Sequence, residues 1–312
     1  MATPAVPLRL LSACLRFPWD GRFLFAIPGA LLIACQSGAV APHGPALIDD
    51  AGDTVRLAAT ATRVVSLSPA TTELLFAMGA GDLLVGRTRW CDYPAAAVAV
   101  PSVGDGIPPN IESVLDRHPD LVLLYRSPQN AEAVRQLRAA GIAAAQLTMD
   151  HLGDVSRLAR LLGPALGRAA SADSLAAAFD SAIAAAASDT LAVAAPRPTV
   201  LLLAWDQPPI AIGAGSFQSE ILALAHGRNL FADLVAPSAP VSIEAIASRN
   251  PDLILISDSG APRFAERPEW GAIDAVRRRR FVHLVTSAFG RPSPRAPEVI
   301  AELRAALAAG PR

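Results

Sequence analysis

An internal repeat constrains this chain more than any other feature of its sequence. Residues 111–124 and 243–256 align without gaps, and 7 of the 14 positions are identical. In both copies a segment with apolar residues at helical spacing is followed by a Pro-Asp step and then by a short aliphatic run. This order is typical of a helix that ends before proline and leads into a buried strand. The two halves of the chain are therefore predicted to be related structural units.

The length and composition suit two such units. The chain has 312 residues, of which 52% are hydrophobic and 18% charged, and a single core rarely grows past about 250–300 residues. Short aliphatic runs alternate with helical segments around each repeat, as in parallel sheets covered by helices. We predict an α/β fold of two pseudo-repeated lobes, each with a mainly parallel sheet at its centre.

The same patterns divide the mature chain into parts. The N-terminal lobe is predicted over 47–152 and the C-terminal lobe over 196–312. A small hairpin that begins at residue 46 is predicted at the start of the N-terminal lobe. Between them, the alanine-rich segment 153–195 has apolar residues at helical spacing and one break near Gly163. A helix over 171–187 would be about 25 Å long at 1.5 Å per residue, which is long enough to connect two lobes.

Composition excludes several classes of function. None of the 27 basic residues is lysine, which rules out a P-loop and any lysine nucleophile. The formal charge of −1 gives no reason to expect nucleic acid, whose binding proteins carry a basic stripe. The 5 histidines are scattered without the spacing of a metal site, so no metal site is predicted.

The N-terminal segment is predicted to be removed. Three arginines precede an apolar run over 23–34, which is too short to span a bilayer but suits a signal peptide. Residues 32–35 read Leu-Ile-Ala-Cys and resemble a bacterial lipobox, in which the cysteine is acylated and the chain is cut before it. Residues 1–34 would be the signal peptide, Cys35 the lipid-bearing residue and 35–46 a tether. The alternative is a buried segment with an ordinary cysteine.

Four stretches carry a resemblance to a known family. Residues 63–75 read Arg-Val-Val-Ser-Leu-Ser-Pro-Ala-Thr-Thr-Glu-Leu-Leu, residues 91–94 read Cys-Asp-Tyr-Pro, and both repeats run from Ile-Glu to Pro-Asp-Leu. In this order they resemble the cobalamin-binding members of the periplasmic substrate-binding proteins, which serve ATP-driven importers of corrinoids, haem and ferric siderophores. The resemblance extends from about residue 47 to the C-terminus. It implies two α/β lobes, one long connecting helix and a ligand cleft between the lobes.

The resemblance also implies which residues face the ligand. By motif position these include Pro69, Trp90 and Arg291, with Tyr93 as a further aromatic wall. Trp205 ends a predicted strand and could be another wall, or simply a buried or rim tryptophan. Flat apolar walls and one hydrogen-bonding cation suit a corrin ring with amide edges.

A corrinoid, either cobalamin or cobinamide, is therefore the expected ligand. Haem or a ferric siderophore is the alternative within the same importer class, and an enzyme acting in the cleft is a distant one. No catalytic residue and no catalytic cofactor is predicted. Cys91 would be the one free thiol of the mature chain, and its role stays open.

The glutamate in each repeat implies a partner. Glu112 and Glu244 stand at the start of the two repeat helices, where a favourable contact with the helix dipole is the simple alternative. In the family that the chain resembles, one glutamate on each lobe docks on arginines of a two-fold symmetric permease. Two related lobes fit such a partner, because each carboxylate can meet one subunit. We expect a lipid-anchored monomer on the periplasmic or cell-surface side of the membrane, serving an ABC permease and its ATPase subunits.

Lipid anchoring can be tested at Cys35. Replacing Cys35 by serine should release the protein from washed membranes and remove the acyl mass, because each buried CH₂ of an acyl chain contributes about 0.8 kcal/mol to membrane binding. Fractionation and intact mass spectrometry measure both effects. Cys14→Ser, at a second lipobox-like sequence with a shorter apolar run, is the matched control and should stay anchored. Retention of Cys35→Ser in membranes would contradict the prediction.

Overall fold

The computed structural model describes residues 44–188, 197–256, 262–284 and 286–311. The predicted signal peptide, Cys35 and most of the tether lie outside these residues. The strands are β1 (Ala46–Ile48), β2 (Thr54–Arg56), β3 (Val64–Ser66), β4 (Leu84–Arg87), β5 (Leu121–Tyr125), β6 (Ala143–Leu147), β7 (Thr199–Leu201), β8 (Leu203–Asp206), β9 (Pro209–Ile212), β10 (Arg228–Asn229), β11 (Ser238–Pro240), β12 (Leu253–Ile256) and β13 (Phe281–His283). The helices are α1 (Pro69–Ala77), α2 (Ile111–Leu115), α3 (Pro128–Ala139), α4 (Gly153–Leu162), α5 (Ala169–Ser188), α6 (Phe217–Leu224), α7 (Ile243–Arg249), α8 (Asp274–Arg277) and α9 (Ala296–Ala309).

Each lobe is built on a parallel sheet, as the sequence predicts. The N-terminal sheet has the strand order β4-β3-β5-β6, and the C-terminal sheet has the order β10-β7-β12-β13. The β1–β2 hairpin is antiparallel, in agreement with the alternating pattern before the first core strand. The fold class predicted from the sequence is confirmed.

The C-terminal lobe has a second sheet that the sequence analysis missed. Strands β11, β9 and β8 form an antiparallel sheet in that order. The aliphatic run 199–204 reads as one strand, but it is divided between β7 and β8, which belong to different sheets. A continuous aliphatic run does not reveal this division, because both of its parts are apolar.

Alternate residues of the central strands face different cores. In β5, Leu121 and Leu123 pack into the larger core, whereas Val122 and Leu124 pack on the opposite face of the sheet. The residues of β12 alternate in the same way between the larger core and a third cluster. This period of two follows from the geometry of a strand. Both faces of each parallel sheet are covered, which leaves the strand ends as the place for a ligand.

The larger core continues from one lobe to the other through the helices between them. It contains residues of both sheets together with Leu158 of α4, Phe179 of α5 and Leu303 of α9. Helix α5 has 20 residues, about 30 Å at 1.5 Å per residue. A Cβ at Gly163, just after α4, would come within 2.6 Å of the Ala172 Cβ, so the predicted break lets two helices approach closely. No helix in the described ranges is long and apolar enough to cross a membrane.

The acidic residue of the Pro-Asp step has the same structural role in both repeats. The Asp120 carboxylate accepts hydrogen bonds from the backbone N–H of Thr62 and Arg63 and from the Thr62 hydroxyl, at 2.8–3.1 Å. The Asp252 carboxylate accepts the N–H of Thr199 at 2.8 Å. Each aspartate therefore fixes the start of the neighbouring central strand, β3 or β7. These identities in the repeat are explained by folding rather than by ligand binding.

The two repeat helices also begin and end alike. Asn110 and Ser242 are their N-caps, and each side chain accepts the backbone N–H three residues further on, at 3.0 and 3.1 Å. The residue before the repeat proline is His118 in one copy and Asn250 in the other, with φ of 47° and 46°. A left-handed residue at this point ends a helix. Local backbone geometry thus repeats together with the sequence.

The role of Asp120 predicts a loss of stability on its removal. Asp120→Ala should lower the free energy of unfolding by about 1–3 kcal/mol, because two backbone donors lose their acceptor. Urea denaturation followed by circular dichroism measures the change. Asp116→Ala alters an exposed carboxylate of the same segment and should change stability by no more than about 0.5 kcal/mol. Equal losses in the two variants would contradict this role.

Candidate functional site

Two adjoining cavities lie at the carboxyl ends of the parallel strands, one on each lobe. Each has a volume of about 620 Å³. A guanidinium N–H of Arg291, which lines the C-terminal cavity, lies 3.4 Å from the carbonyl oxygen of Trp90, which lines the N-terminal cavity. Ligands of open parallel sheets bind at this end of the strands. We call the two cavities together the cleft.

The wall on the N-terminal lobe is apolar with a paired charge at its edge. Pro69 begins α1 soon after β3, and it lines this cavity together with Trp90, whose exposed fraction is 59%. Arg89 and Asp105 also line the cavity and form an ion pair at 2.6 Å. The structure therefore brings two of the sequence-predicted residues together on one side of the cleft.

Tyr125 lines the same cavity and was not predicted from the sequence. It is the last residue of β5, and its hydroxyl donates a hydrogen bond to Asp150 at 2.9 Å. Burial, with the Asp150 carboxylate as the next cause, raises the pKa of Tyr125 to about 12. A signal was present in the sequence, because Tyr125 directly follows the strand predicted over 121–124 at the end of the first repeat.

The wall on the C-terminal lobe carries neutral polar groups. Gln218, Thr286 and Ser287 line this cavity beside the apolar Phe289 and the cationic Arg291. Amide and hydroxyl groups of this kind both donate and accept hydrogen bonds. This wall can therefore bind a ligand that has amide or hydroxyl groups along its edge.

A cluster of charged residues links the lobes beside the C-terminal cavity. The side chain of Glu73 is 1% exposed and accepts two hydrogen bonds from Arg295, at 2.9 and 2.7 Å. An N–H nitrogen of Arg291 lies 3.4 Å from Glu73 and 2.9 Å from Asp92. The acids belong to the N-terminal lobe and the arginines to the C-terminal lobe. With two positive and two negative groups, the cluster is formally neutral.

The remaining predicted aromatic residues lie in other surroundings. The guanidinium carbon of Arg295 lies 3.7 Å from the ring centroid of Tyr93, and Tyr93 lines a separate cavity of about 350 Å³ between the lobes. Trp205 has an exposed fraction of 59%, and its indole N–H donates to the Gln207 carbonyl oxygen at 2.8 Å. Their contact with a ligand stays a prediction.

Cys91 is enclosed by the N-terminal lobe. Its sulfur is buried and lies 3.1 Å from the hydroxyl oxygens of both Thr72 and Thr88. Since the thiol is fully buried, these contacts give it a structural setting. In the part of the chain that the structure describes, no group of three or more His, Cys, Asp or Glu residues could hold a metal ion.

The two repeat glutamates lie on the surface of their lobes. Glu112 and Glu244 are exposed in the first turns of α2 and α7. Each helix is followed along the chain by a strand of a parallel sheet, α2 by β5 and α7 by β12. The backbone amide of Glu244, and after it the Ser242 side chain, lower the pKa of the Glu244 carboxyl. Its negative charge is thereby stabilised at the protein surface.

Comparison with known proteins gives consistent matches. Residues 64–287 match the periplasmic binding protein family. A relative from Bacillus subtilis (strain 168), named an uncharacterized ABC transporter substrate-binding lipoprotein, YvrC, is 30% identical over 266 residues, which are 83% of this chain and 84% of the relative.

Two further matches have named ligands. A vitamin B12-binding protein from Yersinia pestis (strain Pestoides F) is 32% identical over 200 residues, which are 64% of this chain and 71% of that protein. The solved structure of the periplasmic heme-binding protein RhuT from Roseiflexus sp. RS-1, in its apo form, is similar with a TM-score of 0.69 and 28% identity. The alignment covers 78% of this chain and 97% of RhuT.

Proposed function

The chain belongs to the periplasmic binding protein family, and on that premise we propose that it captures a corrinoid outside the cytoplasm and delivers it to an ABC importer. The corrinoid is cobalamin or cobinamide. The proposal assigns no catalytic step and no catalytic cofactor to the chain. The observation that carries it is the pair of adjoining cavities, in which apolar rings on one lobe oppose neutral polar groups on the other.

The chemistry of the cleft supports a large, flat ligand with neutral edges. Trp90 and Tyr125 offer ring surfaces, which favour stacking or edge contacts with a flat macrocycle. Gln218 and Ser287 can exchange hydrogen bonds with peripheral amides. In this proposal Pro69 and Trp90 contact one face of the corrin ring and Arg291 contacts its polar edge. Tyr93 and Trp205 complete the aromatic rim.

The charges of the cleft favour a corrinoid over an anionic chelate. Named ligands of the relatives include both vitamin B12 and heme, so likeness alone does not choose between them. The two arginines among the described lining residues, Arg89 and Arg291, are each paired with a carboxylate. A ligand with carboxylates, such as haem, would have to displace those partners, whereas amide edges accept hydrogen bonds without breaking an ion pair.

Corrinoid binding can be tested by calorimetric titration with cyanocobalamin and dicyanocobinamide. We expect one site per chain. Trp90→Ala should weaken binding by about 1–3 kcal/mol, because an aromatic wall that the ligand would bury is lost. Ile48→Ala changes an exposed apolar residue of β1 and serves as the control with unchanged affinity. Heat on addition of hemin or a ferric siderophore, with none on addition of either corrinoid, would overturn the choice of ligand.

The proposal includes a lipid anchor and a docking face. Cys35 would bear the anchor and the segment 35–46 would be its tether. The relative from Bacillus subtilis is named a lipoprotein. Glu112 and Glu244 would each dock on an arginine of a two-fold symmetric permease, which works with ATPase subunits. Their exposure and their equivalent places in two repeats support this role, since a monomer with two related lobes can match a two-fold partner.

Docking predicts a selective loss of transport. In the double variant Glu112→Ala, Glu244→Ala, uptake of labelled cyanocobalamin by cells should collapse, because loss of one interfacial charge pair can cost about 2–5 kcal/mol when its partner is left unpaired. Ligand affinity and thermal midpoint should hardly change, since each dipole contact contributes at most about 1 kcal/mol.

A matched control keeps the docking test specific. Asp116→Ala, Glu269→Ala removes one exposed carboxylate from each lobe outside these positions and should leave uptake intact. Normal uptake by the double glutamate variant would contradict docking and would leave Glu112 and Glu244 with a role in helix stabilisation alone.

A further inference from the structure

The lobes meet at a second polar contact, which is formed around Asp150 and the start of α6. We infer that Asp150, His151 and Glu220 form a proton-dependent clamp between the lobes, and that Asp150 positions Tyr125 in the cleft through this clamp. The clamp itself is a property of the protein without ligand. Its effect on ligand affinity rests on the proposed function.

Three contacts join one loop of the N-terminal lobe to one helix of the C-terminal lobe. The His151 ring nitrogen Nδ1 lies 2.5 Å from one carboxylate oxygen of Glu220, a residue of α6. The other oxygen of Glu220 accepts the backbone N–H of Leu152 at 2.8 Å. The backbone N–H of Phe217, the first residue of α6, donates to the carbonyl oxygen of Asp150 at 3.1 Å. Glu220 therefore binds both a titrating ring and a fixed backbone group.

Asp150 connects this contact to the cleft. Its carboxylate accepts the hydroxyl hydrogen of Tyr125 at 2.9 Å, and Tyr125 lines the N-terminal cavity. The backbone N–H groups of Asp150 and His151 both donate to the Asp154 carboxylate at 2.9 Å, which holds the loop against the start of α4. A shift of α6 relative to the loop would thus act on Asp150 and, through it, on the Tyr125 phenol. Asp150 is a positioning residue for the cleft.

Acidic groups surround His151. Glu220 faces it from α6, Asp154 from α4 and Asp150 from its own loop. Arg157, the first cation along α4, is paired with Asp50 and Asp154. Glu220, chiefly through its hydrogen bond, raises the pKa of His151 above its ordinary value.

The direction of the pH effect follows from this raised pKa. A group with a raised pKa stabilises the folded state fully below its unfolded value of about 6.5 and loses this effect as pH rises through the folded value. The clamp is therefore strongest in mildly acidic solution. A neutral imidazole can still donate one hydrogen bond to Glu220, so the clamp is weakened at high pH and not abolished.

The first experiment uses the full chain without ligand. Thermal midpoints are measured from about pH 5.5 to about pH 8.5, where histidine changes its charge, for the wild type, His151→Gln, Glu220→Gln and the double variant. The wild type should exceed His151→Gln most at the lowest pH, and the difference should shrink as pH rises. At low pH the double variant should lose no more than Glu220→Gln alone, because the pair with His151 is already absent in that variant.

His118→Asn is the matched control for the loss of a histidine. His118 is exposed with φ of 47°, and asparagine occupies the equivalent position of the other repeat with φ of 46°. Its pH profile should follow that of the wild type. Parallel profiles for wild type and His151→Gln would overturn the clamp.

The second experiment measures cyanocobalamin affinity over the same pH range. Affinity of the wild type should fall by up to about fivefold toward high pH, the size that an exposed ion pair can supply. It should stay flat in His151→Gln. Tyr125→Phe should also flatten the affinity profile, while its thermal midpoints without ligand keep the pH dependence of the wild type, because only the link to the cleft is cut.

The outcomes separate this inference from the proposed function. A pH-independent affinity of the wild type, with cyanocobalamin bound, would overturn the link between the clamp and the cleft. If cyanocobalamin does not bind at any pH, the choice of ligand fails, and the thermal profiles without ligand still decide whether the clamp exists.

Discussion

The buried carboxylate of Glu73 holds the two lobes together at the cleft. It belongs to α1 of the N-terminal lobe, and both of its oxygens accept hydrogen bonds from Arg295 of the C-terminal lobe. Breaking a buried ion pair by removing one partner typically costs about 3–5 kcal/mol, because the other charge is left without compensation. Arg291 lies against the same carboxylate and also lines the cleft. The residue that would meet the ligand is therefore held by the contact that joins the lobes.

Two further connections act together with this pair. A continuous apolar core runs through α4, α5 and α9, and the contact of His151 with Glu220 joins the lobes on another side. Connections of three kinds thus fix the distance between the two walls of the cleft. With one long helix and two polar contacts between the lobes, we expect small relative movements on ligand binding. A cleft that is largely formed in advance loses less free energy to ordering when it binds.

Much of the fold follows from the repeat. In both copies a helix ends before the Pro-Asp step, and the aspartate, Asp120 or Asp252, accepts a hydrogen bond at the start of the neighbouring strand. Two related lobes could therefore be predicted from local sequence patterns. The antiparallel sheet of the C-terminal lobe could not, because the run 199–204 has no residue that marks its division into β7 and β8. Strand pairing between segments distant in sequence is set by tertiary packing, which apolar periodicity does not encode.

The candidate site could be predicted in its parts but not in its connections. Pro69, Trp90 and Arg291 were predicted from motif position, and each of them lines one of the two adjoining cavities; their contact with a ligand stays a prediction. The partners of Arg291 were not predictable, since Glu73 and Asp92 are about two hundred residues away in sequence. Tyr125 was missed because the repeat residues before it were interpreted as serving the fold alone. Asp150 and Glu220 were missed because no local sequence pattern distinguishes them from other acidic residues. Only the tertiary structure brings them to the contact between the lobes.

The most direct test of the account is the absorption spectrum of the protein after incubation with an equal mixture of cyanocobalamin, dicyanocobinamide, hemin and a ferric siderophore, followed by gel filtration. If the protein captures a corrinoid, the protein fraction carries a corrinoid spectrum with one corrinoid per chain. A protein fraction that carries hemin or siderophore absorption in place of a corrinoid, or that carries no absorbing ligand, would contradict it.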